Sequence, residues 1–447
     1  MWTKKLWVLG IIGAILTTTA CSSGSGNAAD GNKSDKPLSA DGKTIVTLTM
    51  LDSSPFYEAL EKKFEAKYPD IDLRINSYLK AGENMDGAAY EKFKKMTNTA
   101  VLAGKGGDII EASALPVNDY IDKKLLLDMD DYISKDNGLD KNDFQMNVLE
   151  SLKLKGGLYT IPEGYSMRVF IGDGDVIGDQ KLNDKEWNWK EFADASKELL
   201  AKVGQSGSSA RYALANDPPE VVLQWIVMDS YGAWVDAAGK KASFDSPEFI
   251  NLMEEIKKMY NEGIITSKPA EMGQQLFYTT VLRSPGDFIE GLHAYFKNPK
   301  LLTMPHNGPA SGNRIIPNSQ FVIQAKSPVK EEALKFISFL LSEEGQSIEG
   351  RSGLSFLQSV NYNKLDGIQE QVKSGGYKLP DGQSVQVGDD DFDQFKDVLK
   401  QGGSFDDLDV QVIKSVWEES TQYFNGQKPA ADVAKLIQNR TSLYLNE

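Results

Sequence analysis

The chain of 447 residues contains one cysteine, Cys21, and two histidines, His293 and His306. A single thiol excludes an internal disulfide, so packing has to supply the stability. Two histidines 13 positions apart are too little material for a histidine-based zinc site or a Ser-His-Asp relay. Positive charge is also scarce: 49 Lys and Arg stand against 64 Asp and Glu, for a net charge of −15. Phosphate recognition needs clustered cations, which sets aside nucleic acid and an anionic lipid face as partners. Long apolar runs are absent but for Leu6–Leu16, 11 residues, against the roughly 20 that cross a bilayer.

That run follows Lys4 and Lys5 and leads through Thr17-Thr18-Thr19-Ala20 to Cys21, the layout of a secretion signal. It resembles a bacterial lipoprotein signal, with Thr18 where leucine is usual, and the resemblance implies cleavage before Cys21 and lipid on its sulfur. An ordinary cleaved signal is the plainer alternative. Removal of residues 1–20 takes away Lys4 and Lys5 and brings the charge to −17. Residues 21–43, rich in Ser, Gly, Asn and Asp, have almost nothing apolar to bury and are expected to form a disordered tether.

Beyond the tether the apolar residues become periodic, and the 40% apolar content suffices for two or three domains. Val46, Leu48 and Met50 alternate as in a strand, Phe56, Leu60 and Phe64 share a helical face after Pro55, and Ile71, Leu73 and Ile75 alternate again. Tyr90, Phe93, Thr97 and Ala100 line a helix before the strand at Asp108-Ile109-Ile110. Alternation of strand and helix predicts an α/β fold with a mainly parallel sheet. Lys155–Tyr159 reads as a hairpin, Met167–Ile171 as a strand and 204–209 as a loop. Helices are predicted from Trp189 with Asn188 as cap, over Val221–Tyr231, after Ser246-Pro247, over Lys330–Glu344, and as a C-terminal pair broken at Asn425-Gly426.

Several segments together resemble the extracellular solute-binding proteins of ABC importers, in the maltose-binding group. They include FEAKYPDIDLRI (Phe64–Ile75), AGKGGDII (Ala103–Ile110), DKKLLLDMDDYI (Asp122–Ile133), GGLYTIPEGYSM ending at Met167, WNWKEFADASKEL (Trp187–Leu199), GKKASFDSPEF (Gly239–Phe249), KSPVKEEALKFISFLLSEEGQ (Lys326–Gln346) and YFNGQKPAADVAKLIQNR (Tyr423–Arg440). None is a strong motif alone; their joint order carries the likeness. The resemblance implies a two-lobed periplasmic-binding-protein-like fold of the class II type, with three interlobe crossings near Ser166–Val169, Leu302–Pro305 and Leu354–Phe356. One lobe would comprise 44–165 and 305–353, the other 166–304 and 354–447. It further implies a monomer that carries a small solute, a carbohydrate above all, to the transmembrane subunits of an ABC permease, with no cofactor and no catalysis. Two departures touch the expected ligand region: Val169–Asp173 replaces the tyrosine pair and Asn-Lys-Asp usual there, and Asn318-Ser319 stands where Gly-Gly is common.

Sugars are held by aromatic faces and by planar polar groups that bond hydroxyls in pairs. Asp52 and Ser53, and likewise Glu111 and Ser113, follow strands at the end where open α/β sheets bind ligands; helix capping is the alternative for these four. Asp217, Glu220, Gln224 and Trp225 lie on a turn and helix that the resemblance turns toward the cleft, with capping again the alternative for Asp217. Trp234 joins Trp225 as a stacking candidate, whereas Trp189 and Trp417 sit on apolar helical faces and are expected in the core. Phe277 or Tyr278 is expected to line the cleft, and Tyr165 and Arg168 to lie near both lobes, unless Arg168 forms a surface ion pair. Asp389, Asp391 and Asp393 imitate a calcium loop but lack its glycine and glutamate, since Gln394 and Lys400 stand there, and no metal is expected. A glycan hydrolase with two facing carboxylates and a sensor presenting solute to a kinase remain open as alternatives to the transport receptor.

Overall fold

The computed structural model describes residues 36–446 apart from 81–82, 84–85, 136–139, 204–209, 238, 307–311, 380–381, 383 and 386. Cys21, the signal segment, most of the tether and the 204–209 loop lie outside the described residues.

The strands are β1 (Thr44–Met50), β2 (Ile71–Ser77), β3 (Ile109–Glu111), β4 (Ile161–Asp173), β5 (Val235–Asp236), β6 (Lys241–Ala242), β7 (Phe277–Leu282), β8 (Pro299–Leu302), β9 (Asn313–Ile323) and β10 (Gly403–Ser404). Val46, Leu48 and Met50 are buried, as their alternation predicts, and Phe56, Leu60 and Phe64 are the buried face of the Pro55–Lys67 helix. Each such side chain contributes roughly 1.5–3 kcal/mol by leaving water. The main sheet runs β2-β1-β3-β9-β4-β7, with β8 on β4 and β10 on β9. It is parallel at β1–β2 and β1–β3 but antiparallel from β3 through β9 and β4 to β7. The expected mainly parallel sheet is therefore a mixed one, because β9 arrives from far along the chain and runs against its neighbours.

Local signals read from the sequence recur as bonds. The Asn188 side chain accepts from the N–H groups of Lys190 and Glu191 at 3.0 Å, capping the Trp189–Val203 helix. Ser246 caps the Pro247–Asn261 helix through Phe249 N–H, and Lys155 and Gly156, both at positive φ, make the turn of the Leu154–Gly157 bridge. Residues 36–43 depart from the expected tether. Lys36 Nζ lies 2.8 Å from Glu332 on the Lys330–Leu341 helix, and Leu38 bridges to Thr44, because one buried carboxylate there needs a cation.

Two main apolar cores result. The first surrounds β1, β2 and the β4–β9 pair, and takes in Phe356, Leu365, Phe392 and Phe395 from the C-terminal third. The second joins Phe170, Trp189, Phe192, Val227, Phe277, Val416 and Ile437. Strand β4 serves both, giving Tyr165, Met167 and Val169 to the first and Phe170 to the second. At the third expected crossing Leu354 exchanges backbone hydrogen bonds with Tyr165, at 2.6 and 3.1 Å. Gly353 sits so close that a Cβ would meet Tyr165 O at 2.7 Å, and its φ is +87°; only glycine fits.

Candidate functional site

Two polar clusters form around Glu163 and Arg168, five residues apart on β4, or about 17 Å of strand.

In the first cluster, β1 ends short of Asp52, which is exposed, and Ser53, which is half-buried. The N-cap of the following helix is Ser54, with no side-chain cap bond, so capping does not occupy Asp52 or Ser53. Glu111 accepts from Ser113 N–H at 3.1 Å, and Ser113 Oγ accepts from Gln320 N–H at 3.0 Å; burial pushes the Glu111 carboxyl up. Beside them, the Tyr57 hydroxyl in the first helical turn donates to Glu163 Oε2 of β4. Glu163 is 3% exposed. Burial pushes its carboxyl up to about 7, against the pull of the Tyr57 bond and of Arg351.

Arg351 is itself buried and held down to about 10 by that burial. Its Nε donates to Gln346 O at 3.0 Å, and its Nη1 to the carbonyls of Glu163, Ser352 and Leu354 at 3.1–3.3 Å. The guanidinium thereby pins the third crossing to β4. Tyr165, expected near the ligand, is fully buried against Phe356 at 5.5 Å, with burial raising its phenol. Its ring fills the first core and does not line a ligand site.

The second cluster forms where β4 and β9 place Arg168 and Arg314 opposite each other in register. Both guanidinium Nε atoms reach one carboxylate, Asp229, at 3.0 and 3.2 Å. These contacts satisfy an ion pair but not the alignment of a hydrogen bond. Asp229 ends the Pro219–Asp229 helix, where the helix dipole disfavours an anion. Burial raises its carboxyl while Arg168 and then Arg314 pull it down. Arg168 also donates to Thr279 Oγ1 at 3.2 Å and lies 5.6 Å from the Trp225 ring centre. The ion pair weighed as the alternative for Arg168 does form, but it is largely withdrawn from water, the Arg168 side chain 18% exposed and that of Asp229 7%.

Asp217 is exposed at the turn before this helix. The helix N-cap is Pro218, without a side-chain bond, so Asp217 does not cap it. Its carboxyl is raised by partial burial and lowered by Arg168 and by a bond from Trp225. Glu220, Gln224 and Trp225 are half-buried on the helix, with Trp225 edge-on to Trp189 at 5.4 Å.

The remaining aromatics divide. Trp234 is 4% exposed, donates to Ser230 Oγ at 3.1 Å and packs on Phe249; Phe277 has no exposure and stacks on Phe170 at 5.4 Å. Both are core, because each continues an apolar stretch that the second lobe needs. Tyr278 is half-buried on β7 beside Tyr295. Trp189 is buried as expected, but Trp417 is 44% exposed, so its helical face is not core.

Tyr57, Glu163, Asp229, Arg314 and Arg351 are the participants that the sequence reading missed. The available signal was a lone charge in an apolar run: Glu163 in IPEGY, Asp229 in WIVMD, Arg314 in RII. A concavity of about 900 Å³ lies outside both clusters, between the Trp189–Val203 and Pro247–Asn261 helices. A small gap is lined by Trp189 and His306, which also line that concavity, and by Asp229.

A family model described as bacterial extracellular solute-binding protein matches residues 49–347. Among solved structures, the sugar-binding protein MalE of Xanthomonas citri is similar at TM-score 0.61 and 16% identity, over 90% of this chain and 98% of that one. A family 1 extracellular solute-binding protein of Alicyclobacillus acidocaldarius gives 0.61 and 17%, over 91% and 99%. An ABC substrate-binding protein of Listeria monocytogenes, in complex with cycloalternan, gives 0.56 and 16%, over 90% and 99%.

Proposed function

The chain belongs to the bacterial extracellular solute-binding proteins, and from that membership we propose that it captures a neutral carbohydrate between its two polar clusters for transfer to an ABC permease. We place its attachment to the outer face of the cell membrane at a lipid on Cys21. The carrying observation is Trp225. Of the two tryptophans expected to stack on a sugar it alone stays half-open, with the Asp217 carboxyl acting on its side and the Arg168 cation near its ring. An aromatic face with flanking planar polar groups suits the C–H side and hydroxyls of a pyranose.

The charge balance favours a neutral solute. Arg168 and Arg314 share Asp229, and Asp217 lies close to Arg168, so little positive charge is left over for an anionic ligand. Solved sugar-binding relatives support the same ligand class. Calorimetric titration with maltose, maltotriose, cycloalternan, glucuronate and glucose 6-phosphate tests it. We expect one or more neutral sugars to bind in the micromolar range, which requires about 8 kcal/mol. Binding of the anionic compounds alone overturns the reading.

A further inference from the structure

The Gln358–Lys373 and Asp389–Gln401 helices place Leu365, Phe392, Phe395 and Leu399 in the first core, whereas the next helix, Val410–Phe424, places Val412 and Val416 in the second. The chain therefore changes core over residues 402–409, a passage that the three expected crossings do not include. Elements of the first core hold its start. Gln145 Nε2 donates to Leu399 O and Asn147 Nδ2 to Gln401 O, both at 2.6 Å, and β10 pairs with β9. Phe405 packs on the first core and Leu408, three residues on, packs on the second.

Between these two apolar footholds, Asp406 and Asp407 turn to opposite sides. Asp406 lies against Gly232, where an added Cβ would meet its Oδ1 at 3.2 Å. The neighbouring Tyr231 is buried in the second core, and its hydroxyl accepts from Asp409 N–H at 3.4 Å. Asp407 instead accepts from Asn118 Nδ2. Asn118 stands on the Val117–Asp122 helix, whose Tyr120 and Ile121 pack with Ile110 of β3, on the sheet that carries the first core. Asp407 is exposed, so water can replace its bond to Asn118 at small cost. Leu408 and Tyr231 would lose apolar contact on leaving the second core. We infer that residues 402–409 are a strap between the two bodies and that the Asn118–Asp407 bond is its latch, closed in this structure and parted when the bodies separate to exchange solute. That separation rests on the solute-receptor reading; the latch does not require the solute to be a sugar.

Distances between paired spin labels test it. In the full chain carrying Cys21→Ser, labels at Lys95→Cys and Asn251→Cys, exposed helical positions on the first and second bodies, report the separation of the two without any ligand. Asn118→Ala and Asp407→Ala should each raise the ratio of separated to closed molecules roughly fivefold, the weight of one net hydrogen bond. Asp407→Asn keeps an acceptor and should lie closer to the parent. Because the two side chains act as one bond, the double alanine variant should go no further than either single one. Parent-like distances in both alanine variants, or effects that add in full in the double variant, overturn the latch. Failure of maltotriose and cycloalternan to bind would overturn the carbohydrate reading for these probes, while the latch stands or falls on the distances alone.

Discussion

Replacing Asp229 by asparagine keeps its shape and removes its charge, so it isolates what one carboxylate does for two arginines. At 3.0 and 3.2 Å, each attraction is worth about 5 kcal/mol at an effective dielectric constant of 20. Much of that is offset by desolvation of a carboxylate only 7% exposed and by repulsion between the guanidinium groups that remain. Breaking a buried pair by removing one partner costs about 3–5 kcal/mol, and we expect Asp229→Asn to fall in that range. Arg168 is 18% exposed and Arg314 12%, so water reaches neither freely enough to relieve the loss. Urea denaturation at neutral pH, followed by tryptophan fluorescence, measures the change. Adding Arg314→Met should recover part of it, since one uncompensated cation then disappears. A loss below about 1 kcal/mol, the range of a surface pair, would refute the argument that this carboxylate compensates two partly buried arginines.

The tryptophans should separate cleanly. Trp225→Ala is expected to weaken sugar binding at least tenfold, about 1.4 kcal/mol or more, with a modest stability loss, whereas Trp234→Ala should cost about 3–5 kcal/mol of stability as a core truncation; calorimetry paired with urea melts reads both. Cys21→Ser should leave the fold intact and shift the protein from the membrane fraction to a soluble one, and retention in the membrane fraction would refute lipid attachment.

Much of the framework was legible because it is local. The alternation of Val46, Leu48 and Met50, the spacing of Phe56, Leu60 and Phe64, and the caps at Asn188 and Ser246 each depend on residues within a few positions. The site was less legible because it depends on distant partners. Nothing near Arg168 in the sequence indicates Asp229, which stands 61 positions on, or the cross-strand Arg314. Tyr57 meets Glu163 from 106 positions away. The aromatics mislead for a related reason. Trp225 and Trp234 look alike in sequence, and only the packing of Phe249 against the latter tells a lining ring from a filling one.

The position of β9 has a consequence for how the chain reaches this state. Ile109–Glu111 pairs with Phe321–Ile323 across about 210 residues of intervening sequence, and β4 finds its long partner in the same strand. Contacts this remote are slow to form, since ring closure must precede their reward. Until residues 313–323 are available, β3 and half of β4 keep bare backbone edges, which recruit other chains. A fragment ending before residue 313 should therefore aggregate. The main sheet therefore closes only after residues 313–323 have been made, when about two thirds of the chain is already present.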